Sequence, residues 1–385
     1  MKFAHLADCH IGGWREPKLK ELSLAVFEKA VDRCIEEYVG FVVISGDLFD
    51  TSLPSIDILK ETARILAKLK EHEINVYIVP GSHDFSPSGK SMLDVLEKAS
   101  LVENVMKMED NKLRLTEDKT GVKITGIYGK KGGLEKESYR NINKKELEDE
   151  KGFKIFLFHT ALDEFKPEEL ENVEGMSYLD LPKNFSYYAG GHVHYIFETD
   201  KKDYGKIAFP GALFPNNFAE IEKFKNGGFY LVNEKLETSY IPIKLKETLN
   251  FVINADDKEP EEVRNEIIKT VQDYKDKIIT LRVEGTLKNG SISDINFKNI
   301  FEKFSDAYAI LKNTNKLKTR DINFIEVERG ENAEEKLIKE NSKELSEDFI
   351  LNLMRLLDKE KNEGEKNMDF ENRIWKEAEA VLENV

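Results

Sequence analysis

The chain has 385 residues, which is too long for one ordinary domain and predicts two or three. It carries 58 lysine and arginine residues against 73 aspartate and glutamate residues, a formal net charge of −15 that excludes a simple basic coat protein for nucleic acid. Two cysteines cannot form a disulfide scaffold or a zinc site of four thiolates, so any metal site must use other ligands.

The first residues, MKFAHLADCH, contain no apolar signal-peptide core, and no run of about 18 apolar residues occurs in the chain. We therefore expect a cytoplasmic protein without a membrane partner.

Residues 1–245 alternate short apolar runs with segments of helical period, a pattern typical of a layered α/β fold with an interior sheet. In chain order the predicted elements are strand Phe3–Ala7, helix Glu21–Tyr38, strand Phe41–Ile44, helices Ser55–Glu71 and Ser91–Ala99 on either side of strand Val76–Val79, and strands Val122–Tyr128, Lys154–Phe158, Tyr187–Ala189, Ile207–Phe209, Gly228–Val232 and Thr238–Ile243.

The pattern of predicted elements changes after residue 245, and residues 246–330 are predicted to form a separate small α+β domain. Its elements are strand Thr248–Asn254, helix Glu259–Asp273, strand Lys277–Glu284, helix Phe297–Phe304 and strand Ala307–Lys312. Residues 331–385 are the most acidic part of the chain and carry two apolar stripes of helical period. These stripes include Phe349, Leu353 and Leu357, then Phe370, Ile374 and Val381. Two short amphipathic helices need a surface to cover them, either on their own domain or on a partner.

Five of the seven histidines fall in short blocks that follow predicted strands. The blocks are Asp8-Cys9-His10, Gly46-Asp47-Leu48-Phe49-Asp50, Gly81-Ser82-His83-Asp84, His159, and Gly190-Gly191-His192-Val193-His194. The carboxyl ends of strands are where open α/β sheets place their sites. A mixed set of aspartate and histidine suits Mn²⁺, Fe²⁺ or Zn²⁺ better than Mg²⁺, and a carboxylate between two such ions can bridge them for phosphoester hydrolysis.

These blocks resemble the calcineurin-like metallophosphoesterase superfamily. More narrowly, the segments HLADCHIG, SGDLFD, VPGSHD and GGHVH with FPGALFPNNFAE resemble the SbcD-type double-strand-break repair nucleases, the meiotic-recombination-eleven family. The resemblance covers roughly residues 1–220. It implies a β-sandwich flanked by helices, a capping domain at 246–330 that binds DNA, and C-terminal helices at 331–385 that dock a partner ATPase.

The resemblance also implies two Mn²⁺ ions per subunit, bridged by Asp47. One ion is expected on Asp8, His10, Asp47 and His194, and the other on Asp47, Ser82, His159 and His192. His83 is expected to act as the acid or to stabilise the transition state, with Asp84 orienting its ring. The family has asparagine where this chain has Ser82. A hydroxyl is a shorter and poorer ligand than an amide oxygen, so we expect a weaker or water-mediated second ion.

The implied activity is 3′-to-5′ exonuclease and single-strand endonuclease action on DNA by a nucleoid-associated repair complex. Basic stretches with Lys130 and Lys131, and with Lys316, Lys318 and Arg320, are candidates for phosphate contact, although such stretches are often only solvated surface. Two alternatives stay open: a phosphatase or small phosphodiesterase of the same superfamily, and a nuclease-weak scaffold for the ATPase.

The implied partners are DNA, a coiled-coil repair ATPase of SbcC or Rad-fifty type on the tail helices, and a second copy of the chain. Helices Ser55–Glu71 and Ser91–Ala99 are candidates for the dimer contact. His5 is interpreted as a packed core residue. Asp50 either supports a ligand or caps the following helix, and the sequence does not decide between them.

Overall fold

The computed structural model describes residues 1–84, 91–109, 112–129, 136–170, 173–320, 356, 359 and 367–382. Within these residues the strands, in chain order, are β1 (Lys2–Leu6), β2 (Phe41–Ser45), β3 (Asn75–Val79), β4 (Glu103–Asn104), β5 (Met108–Glu109), β6 (Lys112–Leu113), β7 (Thr116–Glu117), β8 (Lys123–Ile127), β9 (Lys154–His159), β10 (Ala161–Leu162), β11 (Gly175–Met176), β12 (Tyr187–Gly191), β13 (Phe197–Lys201), β14 (Gly205–Phe209), β15 (Gly227–Asn233), β16 (Thr238–Ile243), β17 (Thr248–Asn254), β18 (Ile278–Leu287), β19 (Ala309–Asn313) and β20 (Leu317–Thr319).

The helices in the same part of the chain are α1 (Pro17–Glu36), α2 (Ile56–Glu71), α3 (Met92–Lys98), α4 (Lys136–Asn141), α5 (Lys145–Asp149), α6 (Phe218–Phe224), α7 (Pro260–Thr270), α8 (Phe297–Lys303) and a C-terminal helix Asn367–Leu382. Among the described residues, no helix is both long enough and apolar enough to span a bilayer. The chain divides into two compact units, Met1–Thr319 and Arg320–Val385.

Two six-stranded sheets pack face to face in the first unit. One has the strand order β16-β15-β1-β2-β3-β4 and the other β13-β14-β12-β9-β8-β7. Between them lies a core that takes Phe41 and Val43 from the first sheet and Leu157 and Ala189 from the second. Strands buried on both faces read as continuous apolar runs, which is why their positions were predictable from the sequence. The structure confirms the predicted sandwich of α/β class.

Helices cover the outer face of the first sheet. Pro17 begins α1, where its missing N–H is no loss, and the carboxylate of Glu16 accepts a hydrogen bond from the Leu19 N–H. The apolar face of α1 includes Leu22, Val26 and Phe27, all buried against this sheet together with α2. Because α1 and α2 join β1, β2 and β3 as parallel neighbours, all three strands end at the same edge.

The small sheet of residues 248–319 has the order β17-β18-β19, with β20 also pairing with β18. Its five predicted elements are all present, and all of its strand pairs are parallel, so helices and strands alternate as β–α–β units instead of separating as in an α+β domain. It has its own core, which includes Val263, Leu281 and Ile300. The predicted boundary between 1–245 and 246–330 lies inside the first compact unit, and the three-domain division stays a prediction.

The second unit contains the predicted later tail helix, Asn367–Leu382. Phe370 and Ile374 are half-buried in it, and the Arg373 guanidinium lies 5.3 Å from the centre of the Phe370 ring. The predicted stripe residues Phe349, Leu353 and Leu357 lie outside the described residues, as does the side chain of Val381.

His5 is a fully buried core residue, as interpreted from the sequence. Its Nδ1 lies 2.9 Å from the Tyr187 hydroxyl and its Nε2 lies 3.0 Å from the Ser45 hydroxyl. Burial lowers the pKa of His5 to about 3, because the charged ring would lose its hydration. The folded-state pKa is therefore below the unfolded value of 6.5, and protonation favours the unfolded chain.

This pKa shift predicts a pH-dependent contribution to stability that is present above pH 6.5 and lost as the pH falls toward 3. Between pH 7 and 4.5 the free energy of unfolding should fall by about 2–3 kcal/mol more in the wild type than in His5→Gln, which keeps a donor and an acceptor but does not titrate. Urea unfolding in the presence of a chelator measures this. Equal losses in the two proteins would contradict it.

Candidate metal centre

The five sequence blocks converge at one end of the sandwich. Those with Asp8, Asp47 and His83 follow β1, β2 and β3 in the first sheet, while His159 and His192 follow β9 and β12, which are parallel neighbours in the second. The two sheets meet directly here, because the backbone N–H of His192 donates to both carboxylate oxygens of Asp8, at 2.9 and 3.1 Å.

The backbone at this end is strained. Asp8, His10, Asp47 and His192 have φ values of 49°, 41°, 51° and 87°, in the left-handed region that residues other than glycine rarely adopt. Hydrogen bonds between the loops hold them there, including Asp8 N–H to the Gly46 carbonyl at 3.1 Å and His10 N–H to the Asp47 carbonyl at 3.0 Å. Strain of this kind persists where surrounding structure fixes it, and it gathers at functional sites.

The first cluster consists of Asp8, His10 and His194, whose ligand atoms lie within 4.8 Å of one another. Nδ1 of His10 lies 3.1 Å from Oδ1 of Asp50, and Nδ1 of His194 lies 2.9 Å from Oε1 of Glu220. A carboxylate only accepts, so both Nδ1 atoms donate and the two Nε2 atoms are the ones that can bind an ion. Those Nε2 atoms face each other at 3.2 Å, an arrangement that a cation stabilises.

The second cluster consists of Asp8, Asp47 and His159, all buried. Nδ1 of His159 donates to the Ser45 carbonyl at 2.8 Å, which directs Nε2 toward Oδ2 of Asp47 at 3.1 Å. Among the described residues, Nε2 has no hydrogen-bond partner. Only glycine fits at position 46, since a Cβ there would lie 2.2 Å from this ring and φ is +85°.

Asp47, a member of the second cluster, also lies close to the first. The same Oδ2 atom that faces His159 is 3.8 Å from Nε2 of His10 and accepts a hydrogen bond from the Ser82 hydroxyl at 3.3 Å. The other oxygen accepts from the backbone N–H of His83 at 2.7 Å. The arrangement lets one carboxylate serve both clusters.

Burial and charge act against each other in this network. Burial alone would lower the pKa of His159, but Asp47 raises it to about 10. Burial alone would raise the pKa of Asp47, but His159 outweighs burial and holds that pKa below its ordinary value. Burial is likewise outweighed at His194, where the bond to Glu220 raises the pKa to about 9. Burial and the neighbouring His159 lower the pKa of His192 to about 3. The carboxylates thus require cationic partners, which protons or metal ions can supply.

His192 and Ser82 border the second cluster. The centre of the half-buried His192 ring lies 5.2 Å from that of His159, and Ser82 is buried with its hydroxyl on Asp47. Nitrogen and oxygen donors without thiolates match the chemistry of Mn²⁺ and similar divalent ions. The residues present therefore fit a pair of ions.

The His83 ring is oriented by a different residue from the one predicted. Its Nδ1 donates to the backbone carbonyl of Asp50 at 2.7 Å, and its ring is about one-third exposed beside His10, with ring centres 4.8 Å apart. Asp84 does not orient this ring. Its buried carboxylate accepts instead from the backbone N–H groups of Gly81, Leu48 and Phe49, which joins the loops after β2 and β3. Burial, reinforced by Asp47, raises the pKa of Asp84 to about 6.

The structure decides the open question about Asp50 and adds two residues. Asp50 supports His10, and it is not at the N-cap position of the following helix, which Ser55 occupies without a side-chain capping bond. The residues that sequence reasoning missed are Glu220, which holds His194, and Asn216, whose side chain donates to Asp50 at 3.1 Å and whose backbone N–H donates to Glu220 at 2.8 Å. Both lie in the segment PNNFAE, where Asn217 followed by Glu220 is a helix-start pattern that could have drawn attention to them.

The remaining candidates are exposed residues or lie outside the described residues. Lys316 and Lys318 are exposed on either side of Leu317 in β20, and Arg320 is exposed in the second unit. Lys130 and Lys131 are outside the described residues.

Comparison with known proteins agrees with this geometry. The chain is 29% identical over 381 residues to the DNA double-strand break repair protein Mre11 of Methanococcus maripaludis, covering 93% of this chain and 95% of that one. It is 28% identical to the Methanocaldococcus jannaschii protein of the same name, covering 93% and 94%, and 30% identical to the Archaeoglobus fulgidus one, covering 66% and 61%. The calcineurin-like phosphoesterase model matches residues 1–195, and the chain belongs to that family.

Proposed function

We propose that the chain is a Mn²⁺-dependent DNA nuclease of a double-strand-break repair complex, acting as a 3′-to-5′ exonuclease and a single-strand endonuclease. The observation that carries the proposal is the pair of adjoining clusters that share Asp8, with Oδ2 of Asp47 in the second cluster 3.8 Å from Nε2 of His10 in the first. The three relatives are named as DNA double-strand break repair proteins, which favours DNA over a phosphoprotein or a small diester.

One ion would be held by Asp8, His10, Asp47 and His194, and the other by Asp47, Ser82, His159 and His192. Bound there, two divalent ions supply charge neutralisation for the phosphate oxygens and activate water for in-line attack. The protein orients the ligands: Asp50 and Glu220 fix the rings of His10 and His194, and the Ser45 carbonyl fixes His159.

His83 supplies the proton chemistry of this proposal. With Nδ1 bonded to the Asp50 carbonyl, the other nitrogen, Nε2, is the one left to meet substrate on a ring that is one-third exposed. A protonated His83 can donate from Nε2 to the leaving oxygen or to a phosphate oxygen as charge develops on it. Because this proposal gives the His83 side chain no part in holding an ion, its replacement separates chemistry from metal binding.

The proposed assembly uses residues other than those of the metal centre. A second copy would pack on α2 and α3, where Ile56 and Val95 are 82% and 49% exposed although both are large and apolar. A coiled-coil repair ATPase would bind the tail, where the C-terminal helix exposes 69% of Trp375. DNA would contact Lys316, Lys318 and Arg320, with Lys130 and Lys131 as further candidates.

Replacing Ser82 with asparagine should strengthen the second ion, because an amide oxygen reaches further and is a better neutral ligand than the hydroxyl. We expect about 10-fold tighter Mn²⁺ binding in the weaker of two steps, in line with the 10- to 100-fold effects of altering a metal site's surroundings. Calorimetric titration of Mn²⁺ into Ser82→Asn and wild type measures this. Equal affinity and equal activity would refute the role given to position 82.

His83→Gln should lower hydrolysis by about 10²- to 10⁴-fold, the usual contribution of a positioned acid or base, while leaving Mn²⁺ affinity unchanged. The assay compares linear duplex DNA, single-stranded DNA, a phosphoprotein and a small phosphodiester, each with Mn²⁺ and with chelator. Wild-type activity on the phosphoprotein but not on DNA would establish the phosphatase alternative. No activity on any substrate would favour the scaffold alternative.

A charge-reversed variant, Lys316→Glu with Lys318→Glu, is the matched control in this assay. It should lose DNA binding and cleavage but keep hydrolysis of the small phosphodiester, because phosphate contacts add affinity without taking part in the chemistry. Loss of both activities would refute the assignment of these lysines to DNA contact.

Removal of residues 331–385 should abolish association with the ATPase while leaving the dimeric state and the Mn²⁺-dependent nuclease activity intact. Light scattering on the full chain and on the truncated chain, each alone and mixed with the ATPase, measures both associations. An ATPase complex formed by the truncated chain, or a monomeric full chain, would contradict the corresponding part of the assembly.

A further inference from the structure

Helix α6, only seven residues long, lies between the metal centre and the small sheet. Two of its acidic side chains, two positions apart, have different partners. Glu220 bonds to His194 of the centre, and Glu222 bonds to Arg282 on β18 of the small sheet. A helix this short is marginal alone, so its position depends on the contacts around it.

The connection to the centre is made by a fully occupied carboxylate. Oε1 of Glu220 lies 2.9 Å from Nδ1 of His194 and accepts from the Asn217 side chain at 2.5 Å, while Oε2 accepts from the Asn216 N–H at 2.8 Å. Such a carboxylate has little rotational freedom, so a shift of α6 would be transmitted to the His194 ring.

The connection to the small sheet is bidentate. Nε and Nη2 of Arg282 bond to Oε1 and Oε2 of Glu222 at 3.2 and 2.5 Å, with side chains only 21% and 18% exposed. The same guanidinium lies 5.3 Å from the centre of the Phe218 ring in the first turn of α6. This paired and stacked geometry defines an orientation, which a lysine could not do equally well.

Further bonds from β17 hold the rest of the helix. The Asn250 side chain donates to the Glu222 carbonyl at 2.8 Å, and the Thr248 hydroxyl donates to the Lys225 carbonyl at 3.3 Å. On the opposite side Ile221 is fully buried in the main core. The small sheet therefore contacts α6 at its start, its middle and its end.

From these contacts we propose that Arg282 and Glu222 are positioning residues for the metal centre: the small sheet fixes α6 through them, and α6 fixes His194 through Glu220. The inference rests on the proposed function insofar as it assigns an ion to His194. It gives residues 248–319 a part in metal binding that is separate from any contact with DNA.

The test measures Mn²⁺ affinity by calorimetry on the metal-free full chain, together with urea unfolding midpoints. Arg282→Met keeps much of the side-chain stem and should weaken Mn²⁺ binding by about 2- to 30-fold, the range for residues that couple sites indirectly. Glu220→Gln should weaken it by about 10- to 100-fold. Arg282→Lys should recover part of the loss, because it retains the charge without the bidentate geometry.

The matched control is Lys258→Met, which removes an ion pair with Glu266 inside the small sheet's own domain, N–O distance 2.5 Å, without touching α6. It should leave Mn²⁺ affinity unchanged whatever its effect on the unfolding midpoint. Glu222→Gln provides the second variant should Arg282→Met fail to fold. The double variant should bind Mn²⁺ no more weakly than the weaker single variant, since both changes break one contact.

Wild-type Mn²⁺ affinity in both Arg282→Met and Glu222→Gln would overturn the inference and leave the proposed function intact. Equal weakening by Lys258→Met would also overturn it, because the effect would then be one of general stability. A wild-type chain that binds no Mn²⁺ would instead refute the proposed function itself.

Discussion

The buried contact between Asp47 and His159 is the constraint on which the rest of the centre depends. Asp47 comes from the first sheet and His159 from the second, so the contact crosses the sandwich. Neither side chain reaches solvent, and a carboxylate in such a place is unstable without a cation beside it. The high pKa of His159, which Asp47 raises against the effect of burial, expresses that requirement. A divalent ion meets the same requirement with more charge than a proton.

Holding these groups together requires left-handed backbone conformations, which the ends of ordinary strands do not contain. The left-handed residues at Asp8, His10, Asp47 and His192 each represent of order 1–3 kcal/mol of local strain. Asp84 is central to keeping it, because its carboxylate accepts three backbone N–H bonds from the loops after β2 and β3. Asp84 therefore has a structural role, although the sequence suggested a catalytic one. Its carboxylate holds in place the loop that carries its neighbour His83.

Much of this could be predicted from the sequence, for identifiable reasons. Strands buried on both faces read as apolar runs, and the site residues follow them directly, so Asp8, Asp47 and His159 were identifiable by position. Contacts between distant segments were not. Glu220 lies 26 residues after the histidine that it holds, and Asn216 lies 166 residues after Asp50, so neither pairing leaves a local pattern. The predicted contact between Asp84 and the His83 ring was wrong for the same reason. Nothing in the local sequence Ser82-His83-Asp84 shows that the carboxylate points away from the adjacent ring.

The small sheet shows the same limit at the level of domains. Its change of texture near residue 246 and its separate core both describe a folding unit. Yet its side chains bind α6 by a bidentate ion pair, a guanidinium over the Phe218 ring and two further hydrogen bonds, and it belongs to the same compact unit as the sandwich. A change in composition along the sequence marks where a separate core begins. How that core is attached to the rest of the protein depends on a few polar contacts at its surface. Here those contacts fall on a helix that also touches the metal centre, so a boundary in composition coincides with a junction in structure.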